Sequence, residues 1–378
     1  MKKIYWFIQK TEIMGGTEIV TINLINLLSK YYDITLVVAG KKNEDLNLKY
    51  NNKIVYLDIP LKHLCLDLET GRLKKEKKYL LIPFSAINTV FFWTFRRFKY
   101  RKLIRNITDE NDLLIASSWD NYVLVPRGRK AYFHFHFNAK FFNSIGIRLS
   151  RTFHRKPDKY IFLTKATADI IKKKHKRYAN SCYVHNPCRY DCLKNVKFND
   201  NKIIFIGRYT YQKNPILALN IAKELKDMDV YFHMNFYGDG ILENEINNFI
   251  LKHELNNFVS VNHFEDDIEK ELLSSDLLLV TSKYEGFPLV TLEANSFSVP
   301  VITSNWGDAV NEIVENDING YIINKDDPKE YANIIKALFE NKNRLLDLKE
   351  KTVQYAIKFS SENIINKWQK ILDESFKM

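Results

Sequence analysis

Cysteine and glycine are scarce in this chain of 378 residues, which has four cysteines and 12 glycines. The cysteines form no CxxC pair and are too few to staple a chain of this length, which excludes a disulfide-rich secreted protein and indicates a reducing, cytoplasmic setting. Zinc binding by a Cys/His cluster is the alternative to free, reduced cysteines, although the spacing matches no common structural zinc pattern. The cluster consists of Cys182, His185, Cys188 and Cys192.

Long hydrophobic runs are also lacking. The first apolar run spans about five residues, shorter than a signal peptide needs, so we expect a buried strand there. The uncharged segment 79–95 is interrupted by Pro83, Ser85 and Asn88, so we expect no transmembrane helix. Because the basic cluster RRFKYRK follows directly, two interpretations stay open. The segment is a core helix with a solvated basic end, or it lies against an anionic bilayer.

Positive charge and hydrophobic residues are abundant. Lys and Arg number 57 against 45 Asp and Glu, a net charge of +12, and 46% of residues are hydrophobic. This content suffices for cores in roughly two to three domains, which excludes a disordered or fibrous chain. The charge indicates an anionic partner, such as nucleic acid, a phosphorylated ligand or a membrane face. Because no nucleic-acid-binding motif is present, a basic nucleic-acid-binding protein is a remote alternative.

Short apolar runs alternate with helical patterns, which predicts α/β architecture with parallel sheets. A polar, turn-rich stretch at 186–202 separates two series of runs, so we expect two doubly wound domains facing each other across a cleft. The expected domains are 1–190, 200–355 and a terminal helix, 356–378, that docks back toward the first domain. The apolar runs are 4–9, 34–39, 54–57, 112–117, 131–137, 160–164 and 182–185, then 203–207, 231–238, 258–261, 276–281, 299–303 and 320–323.

Candidate ligand-binding residues follow the first predicted strand of each domain, since parallel sheets bind ligands at the carboxyl ends of their strands. Gly15 and Gly16 form a strand-to-helix turn whose amides can approach an anion, although a plain tight turn is an equal alternative. In GRYTYQKN, Arg208 and Lys213 suit a diphosphate, and Pro215 predicts the start of a helix. Two solvated surface cations are the alternative there.

The most specific pattern is EGFPLVTLEA, which follows the apolar run DLLLVT. It places Glu285 and Glu293 eight residues apart, and Pro288 is expected at the first position of a helix. Glu293 is then expected about two turns down that helix. A carboxylate at this place can accept hydrogen bonds from sugar hydroxyls, while the free amides of Leu289 and Val290 bind phosphate oxygens. Two ordinary helix carboxylates are the alternative.

Two histidines share one face of the predicted strand AYFHFHF, because side chains alternate along a strand. His136 lies nearer the carboxyl end of the strand than His134. Either histidine can contact a ligand, and a buried structural role is the alternative.

Together these motifs resemble the retaining GT-B glycosyltransferases of family 4, the glycosyl transferases group 1. GGTE, GRYTYQKN, YGDG and above all EGFPLVTLEA with VPVIT carry the resemblance, which is clear from about 203 to 340. It implies two Rossmann-like domains, an acceptor-binding one and a nucleotide-sugar-binding one. The resemblance further implies that Arg208 and Lys213 bind the donor diphosphate, that Glu285 contacts the donor sugar and that Glu293 holds the ribose. His136, with His134 as the alternative, corresponds to the family histidine near the sugar.

The resemblance also implies which residues line the donor site. Gly15 and Gly16 would close on the donor from the first domain, and Tyr237, Gly238 and the turn 262–264, which includes His263, would line the base pocket. Asp227-Met228-Asp229 precedes a predicted strand, so it is expected to be a turn rather than a metal-binding DxD motif, and no cofactor or metal is expected. Residues implied to surround the sugar and phosphate are Gly286, Phe287, Pro288, Leu289 and Val290.

The expected activity is retaining transfer from a UDP-hexose or UDP-N-acetylhexosamine. The basic clusters 96–102 and 171–178 favour a lipid-linked, lipopolysaccharide or capsule glycan as acceptor, reached at the cytoplasmic face of an anionic membrane. Ordinary solvated faces are the alternative for both clusters. A transferase or phosphorylase of the same fold that acts on a soluble sugar is the closest competing function.

Overall fold

The chain folds into two compact units in the computed structural model. The structure describes residues 1–9, 16–40, 48, 53–59, 78–136, 156–174, 176–263, 267–307 and 309–377. Unit 1 comprises Met1–Pro187 and Ile364–Met378, and unit 2 comprises Cys188–Asn363. The end of the chain therefore belongs to the same unit as its beginning.

Unit 1 is built on one parallel sheet. Its strands are β1 (Lys3–Ile8), β2 (Asp33–Val38), β3 (Ile54–Tyr56), β4 (Leu113–Ala116), β5 (Lys130–Phe135), β6 (Lys159–Phe162) and β7 (Ser181–Tyr183). They lie in the order β3-β2-β1-β4-β5-β6-β7. The described helices before unit 2 are α1 (Gly16–Leu28), α2 (Ile82–Phe91), α3 (Arg97–Ile107), α4 (Trp119–Tyr122) and α5 (Lys165–Lys174). A π-helical turn, Phe92–Arg96, joins α2 to α3.

Unit 2 repeats this plan. Its strands are β8 (Lys202–Ile206), β9 (His233–Tyr237), β10 (Val259–Asn262), β11 (Leu277–Val280), β12 (Val301–Ser304) and β13 (Gly320–Ile323), in the order β10-β9-β8-β11-β12-β13. Its helices are α6 (Pro215–Asp227), α7 (Glu243–Lys252), α8 (Glu269–Leu273), α9 (Leu289–Ser296), α10 (Pro328–Glu340) and α11 (Lys342–Ala356). All pairings in both sheets are parallel.

The strand orders show where each sheet can bind a ligand. The order reverses between β1 and β4 in unit 1 and between β8 and β11 in unit 2. In doubly wound sheets, ligands bind outside the carboxyl ends of the strands at this reversal. Every apolar run predicted as a strand forms one, and the bounds agree to within two residues. The expected α/β architecture with two parallel sheets is confirmed.

The last helix, α12 (Ser361–Lys377), packs against the sheet of unit 1. Trp368 is fully buried, and its ring centroid lies 5.2 Å from that of Trp6. At its C-terminal end, Asp373 accepts hydrogen bonds of 3.0 Å from Lys2 and from the Tyr32 hydroxyl. An apolar seam and a polar contact thus join the two ends of the chain.

Two local predictions concern turns and helix starts. Pro215 begins α6, and Asp227-Met228-Asp229 forms the end of that helix and the following turn, as predicted. Pro288 instead precedes α9 as its N-cap, because its ψ of 107° is extended rather than helical. Glu293 is consequently the fifth residue of α9, little more than one turn from its start. Among the described residues, no helix is long and apolar enough to cross a membrane.

Candidate active site at the strand reversal of unit 2

A largely buried ion pair lies at the strand reversal of unit 2. Lys213 follows β8 and Glu285 follows β11, the two strands between which the order reverses. The Lys213 Nζ atom is 2.6 Å from Glu285 Oε1, and the two side chains are 19% and 8% exposed. The structure thus brings together two predicted site residues that lie 72 positions apart in sequence.

Hydrogen bonds between the two loops hold this pair in place. The Thr281 hydroxyl lies 3.0 Å from the carbonyl oxygen of Lys213 and 2.9 Å from that of Asn214. Lys283 donates its backbone N–H to the carbonyl of Gln212, whose side-chain amide donates to the carbonyl of Tyr284. These contacts fix the backbone on both sides of the pair, so the Lys213 ammonium and the Glu285 carboxylate are positioned before any ligand arrives.

Arg208 lies in the same loop as Lys213 and is exposed. Its guanidinium forms no ion pair within the described parts of the chain. Asn214 adopts a left-handed conformation with a φ of 53° immediately before Pro215. This sharp turn ends the loop and starts α6. The loop therefore offers one exposed cation, Arg208, and one cation held by a carboxylate, Lys213.

The loop after Glu285 leads directly into α9. Phe287 is buried, with its ring centroid 6.1 Å from that of Phe359, and Pro288 is also buried. Leu289 and Val290, the first two residues of the helix, are half-buried. The first N–H groups of a helix have no acceptor within the helix and carry partial positive charge. The start of α9 can therefore donate hydrogen bonds to an anion near Gly286 and Phe287.

Glu293 is held by a residue that the sequence patterns did not indicate. Arg189 Nε lies 3.0 Å from Glu293 Oε1, and the Glu293 side chain is only 11% exposed. Burial raises the pKa of Glu293, and the Arg189 charge acts in the opposite direction. The Arg189 guanidinium also stacks 4.6 Å from the Tyr190 ring centroid. Arg189 lies in the turn-rich stretch 186–202 together with three lysines, and no motif distinguishes it from them.

The candidate base-pocket residues surround the ends of β9 and β10. A Cβ atom on Gly238 would lie 2.1 Å from the carbonyl oxygen of Gly207, so glycine is required where these two backbones approach. Tyr237 donates its hydroxyl proton to Glu271 at 2.6 Å. His263 is 85% exposed, and its hydrogen bond to Asp239 raises its pKa. The last residue of the predicted turn, 264, lies outside the described residues.

In unit 1, His134 lies near the end of β5 and His136 directly follows the strand. Their rings are neighbours, which agrees with the shared face that the alternation predicts. Both are buried, and their ring centroids are 4.1 Å apart. His134 packs edge-on against Trp368 at 5.0 Å. Burial lowers the pKa of His136 to about 3, and burial together with the charge of His136 lowers the pKa of His134 well below its usual value of 6.5. Neither ring nitrogen of His134 has a hydrogen-bond partner among the described residues.

A polar recess of about 60 Å³ lies at the strand reversal of unit 1. Asn121 is 1% exposed, and neither polar atom of its amide has a partner among the described residues. Gly16 begins α1 nearby, and a Cβ atom there would meet nothing within 4 Å. Gly15 lies outside the described residues. The sequence patterns missed this recess, which is lined by Ile8, Gln9, Thr17, Glu18, Ser117, Ser118 and Asn121.

All four residues of the Cys/His cluster, for which zinc binding was the alternative interpretation, lie in the described part of the chain. Cys182, Cys188 and Cys192 are free, and burial raises the pKa of each. Within the described ranges, no group of three His, Cys, Asp or Glu side chains could hold a metal ion.

The segment of unit 2 that contains the Lys213–Glu285 pair is also the one that is similar to a known family. Residues 194–359 match the glycosyl transferases group 1. A Haemophilus influenzae protein described as an uncharacterized glycosyltransferase is 24% identical over 388 residues, covering 98% of this chain and 100% of that protein. The family match and this relative support the resemblance seen in the sequence.

Two further comparisons concern proteins with more specific descriptions. The Escherichia coli UDP-Gal:alpha-D-GlcNAc-diphosphoundecaprenol alpha-1,3-galactosyltransferase is 29% identical over 181 residues, covering 47% of this chain and 46% of that protein. The chain thus aligns with about half the length of this relative. The crystal structure of an S. aureus TarM mutant with fondaparinux, alpha-GlcNAc-glycerol and UDP has a TM-score of 0.76 at 14% identity, with 100% of both chains covered. This likeness and the two parallel sheets show that the chain has the GT-B fold.

Proposed function

We propose that the chain is a retaining glycosyltransferase of family 4, which transfers a sugar from a nucleotide diphosphate sugar to a glycan acceptor. The observation that carries this proposal is the largely buried Lys213–Glu285 pair at the strand reversal of unit 2, with Arg208 in the same loop. Two cations suit a diphosphate, and an adjacent carboxylate suits sugar hydroxyls. The pair lies within the segment that matches the family.

A UDP-hexose or UDP-N-acetylhexosamine is the proposed donor. Arg208, Lys213 and the first amides of α9 bind the diphosphate, and Glu285 accepts hydrogen bonds from the sugar. UDP is present in the TarM structure, and the E. coli relative is named for a UDP-Gal donor. Tyr237, Gly238 and His263 are proposed to line the base pocket, and His136 or His134 to contact the sugar.

Glu293 is proposed to bind the ribose hydroxyls. Its carboxylate is buried and forms an ion pair with Arg189, whose Nε lies 3.0 Å from Glu293 Oε1. Burial raises its pKa, which means that the charged form lacks the hydrogen bonds that water would provide. Two ribose hydroxyls can donate such bonds to the remaining lone pairs and favour the charged form.

The proposed reaction takes place on one face of the donor sugar. The acceptor hydroxyl oxygen bonds to the anomeric carbon while the bond from that carbon to the diphosphate breaks, and the bonding electrons leave with the diphosphate. The acceptor proton passes to the departing phosphate oxygen. Arg208, Lys213 and the start of α9 stabilise the negative charge that develops, a contribution of about 3–4 kcal/mol for each well-placed donor. We propose that these groups fulfil this role without a metal ion.

A lipid-linked, lipopolysaccharide or capsule glycan is the proposed acceptor, bound by unit 1 at the cytoplasmic face of the membrane. The E. coli relative is named for a diphosphoundecaprenol-linked acceptor. The net charge of +12 favours contact with an anionic membrane.

Calorimetric titration with UDP, GDP and ADP in EDTA tests the donor site. We expect one nucleotide to bind, and Lys213→Ala to weaken its binding about ten- to hundredfold, the loss typical of one charge-assisted contact. Lys223→Ala is the matched control, since Lys223 pairs with Asp227 on the surface of α6 in the same unit. No nucleotide binding, or equal loss in both variants, contradicts the proposal.

The configuration of the product tests the reaction itself. NMR of the product formed from a UDP-sugar with an axial anomeric bond should show an axial linkage. An equatorial linkage contradicts retention, and a requirement for Mg²⁺ contradicts the metal-independent step. Transfer to a soluble sugar without lipid or detergent favours the competing function, a transferase or phosphorylase of the same fold that acts on a soluble sugar.

A further inference from the structure

An unburied apolar stripe runs along the segment from Leu80 to Phe98 in unit 1. Its members recur every three or four residues, the spacing that places side chains on one face of a helix. Their exposed fractions lie between 48% and 88%, whereas the largest apolar side chains of a folded chain are ordinarily buried. The apolar stripe consists of Leu80, Phe84, Ile87, Phe91, Phe95 and Phe98.

The opposite side of the same segment is anchored in the core of unit 1. Thr89, Phe92 and Trp93 are buried, and the last two belong to a core cluster around β4 and β5. Arg101 donates from Nε to the carbonyl of Val123 at 2.9 Å. Because one side is fixed in this way, the apolar stripe cannot turn inward without disrupting the core.

Spacing and ring contacts keep the stripe continuous through the π-helical turn. The rings of Phe91 and Phe95 lie 5.1 Å apart. A helix of this length extends about 27 Å at 1.5 Å per residue. The stripe is therefore long enough to form an apolar surface, and contiguous exposed apolar surfaces of this kind mark contacts with a partner or a membrane.

The charges around the stripe indicate what covers it. Between residues 79 and 107 the sequence has six Lys and Arg residues and no Asp or Glu. Lys102 and Arg105 continue the spacing of the stripe after Phe98, and both are exposed, as is Lys99. Anionic lipid headgroups complement these cations, whereas a second copy of the same face would bring like charges together. Long cationic side chains also reach headgroups while their stems lie along the apolar boundary.

We propose that the apolar stripe lies in the interface of an anionic bilayer, parallel to its surface, with Lys99, Lys102 and Arg105 against the headgroups. This inference deepens the proposed function by naming the surface that brings a lipid-linked acceptor within reach. Bilayer binding through the stripe needs neither donor nor acceptor, so it is tested separately from nucleotide binding.

Flotation of the full chain with lipid vesicles tests the apolar contribution. The vesicles contain phosphatidylcholine with about 30 mol% phosphatidylglycerol, an anionic surface, or phosphatidylcholine alone. We expect binding to the anionic vesicles and at least about a tenfold loss for Phe91→Ser with Phe95→Ser, since two aromatic side chains no longer enter the interface. The matched control is Ile241→Ser with Leu251→Ser, which removes two side chains of unit 2 that are each 66% exposed.

A second pair of variants tests the charges. Lys99→Glu with Lys102→Glu is expected to abolish the preference for anionic vesicles. Lys367→Glu with Lys370→Glu, on exposed positions of α12, makes the same change in net charge and is expected to retain it. Calorimetric titration of all variants with UDP separates a failure of bilayer binding from a failure of the donor site.

Three outcomes would overturn the inference. The first is an absence of binding to anionic vesicles by the unaltered chain. The second is equal loss in the stripe variants and their controls. The third is concentration-dependent dimers in sedimentation velocity that the Phe91→Ser, Phe95→Ser change dissolves, without vesicle binding, which would make the stripe a contact between copies of this chain.

Discussion

The ammonium of Lys213 lies 2.6 Å from the carboxylate of Glu285, and both side chains are largely buried. A diphosphate that binds Lys213 must therefore share this cation with Glu285. The pair stabilises each partner in the absence of a ligand, because either charge alone would be buried without compensation. The same contact that preorganises the proposed donor site thus also limits its affinity for a free nucleotide.

Glu285→Gln is predicted to separate nucleotide binding from sugar transfer. Removing the carboxylate charge frees Lys213, so UDP binds as tightly as before or more tightly. Transfer falls at least about a hundredfold, because the proposed contact to the sugar hydroxyls loses its charge. Calorimetry with UDP and a transfer assay with the donor sugar measure the two effects.

The control for this change is Glu330→Gln, which alters an exposed glutamate in the first turn of α10 and should change neither quantity. Loss of UDP binding in Glu285→Gln would mean that the carboxylate is needed to position Lys213. Full transfer activity would remove Glu285 from the proposed site.

The positions of the strands, and the shared location of the candidate donor-site residues Lys213 and Glu285, could be predicted from the sequence because both follow from local patterns. Buried parallel strands are short apolar runs, and ligand-binding residues follow their carboxyl ends, so Lys213 and Glu285 could be assigned to the same edge. Their direct contact could not be predicted, because it depends on the adjacency of β8 and β11. The N-cap position of Pro288 was missed because a proline φ fits both the N-cap and the first helical turn.

Other features had no local signal. Arg189 is one of four cations in a turn-rich stretch without a motif, and its contact with Glu293 joins distant parts of unit 2. Asn121 lies in a short polar segment without a motif, yet the fold buries its amide at a strand reversal. The segment 79–95 is apolar on nearly every side, so its sequence cannot tell which face is buried and which is exposed.

Gly16→Ala and Gly238→Ala are predicted to act oppositely on stability. A Cβ atom on Gly16 meets nothing within 4 Å, and the residue is helical, so alanine should raise the free energy of unfolding by up to about 1 kcal/mol. A Cβ atom on Gly238 would overlap the Gly207 carbonyl oxygen, and the required backbone shift should cost about 1–3 kcal/mol. Urea denaturation measures both changes.

The two glycine variants also separate an effect on stability from an effect on ligand binding. If the amides at Gly16 approach a substrate closely, Gly16→Ala reduces transfer although the protein is at least as stable. Unchanged transfer would leave Gly16 as a plain turn residue. Unchanged stability in Gly238→Ala would contradict the close approach between the ends of β8 and β9.

The buried histidines predict loss of stability in mild acid. The pKa of His136 is lowered to about 3, and that of His134 is also lowered well below 6.5, the value for an exposed histidine. As pH falls from 6.5 towards 3, the unfolded chain gains protons that the folded chain does not accept. The free energy of unfolding therefore falls over this window, by up to about 1.4 kcal/mol per pH unit for each histidine.

His134→Phe should flatten this pH dependence, because it removes one titrating group and retains an aromatic ring beside Trp368. It also removes two buried ring nitrogens without partners in the described residues, so stability at pH 5 should rise. His263→Gln is the control. That side chain is exposed and its pKa is raised, so its loss should leave the decline between pH 6.5 and 3 in place. The prediction is contradicted if the free energy of unfolding declines equally between pH 6.5 and 3 in the unaltered chain, in His134→Phe and in His263→Gln.

A second ion pair, Asp276 with Lys349, is fully buried. Among the ion pairs of unit 2, we expect its disruption to lower the free energy of unfolding the most. Both side chains are 0% exposed and their charged atoms lie 2.9 Å apart. Asp276 also accepts hydrogen bonds from the backbone N–H groups of Asn199 and Lys202. Burial lowers the pKa of Lys349, and the charge of Asp276 opposes this shift. Removing the carboxylate charge therefore leaves a buried ammonium without its counter-ion.

Asp276→Asn should consequently lower the free energy of unfolding by about 3–5 kcal/mol in urea denaturation at pH 7. Asp347→Asn breaks the ion pair with Lys351, in which both side chains are more than 40% exposed, and should have a much smaller effect because water compensates both charges. The loss in Asp276→Asn should diminish as pH rises and Lys349 deprotonates in the folded chain, since a neutral amine needs no counter-ion. A loss that is equal in both variants, or that does not change with pH, would mean that the ammonium of Lys349 finds compensation elsewhere.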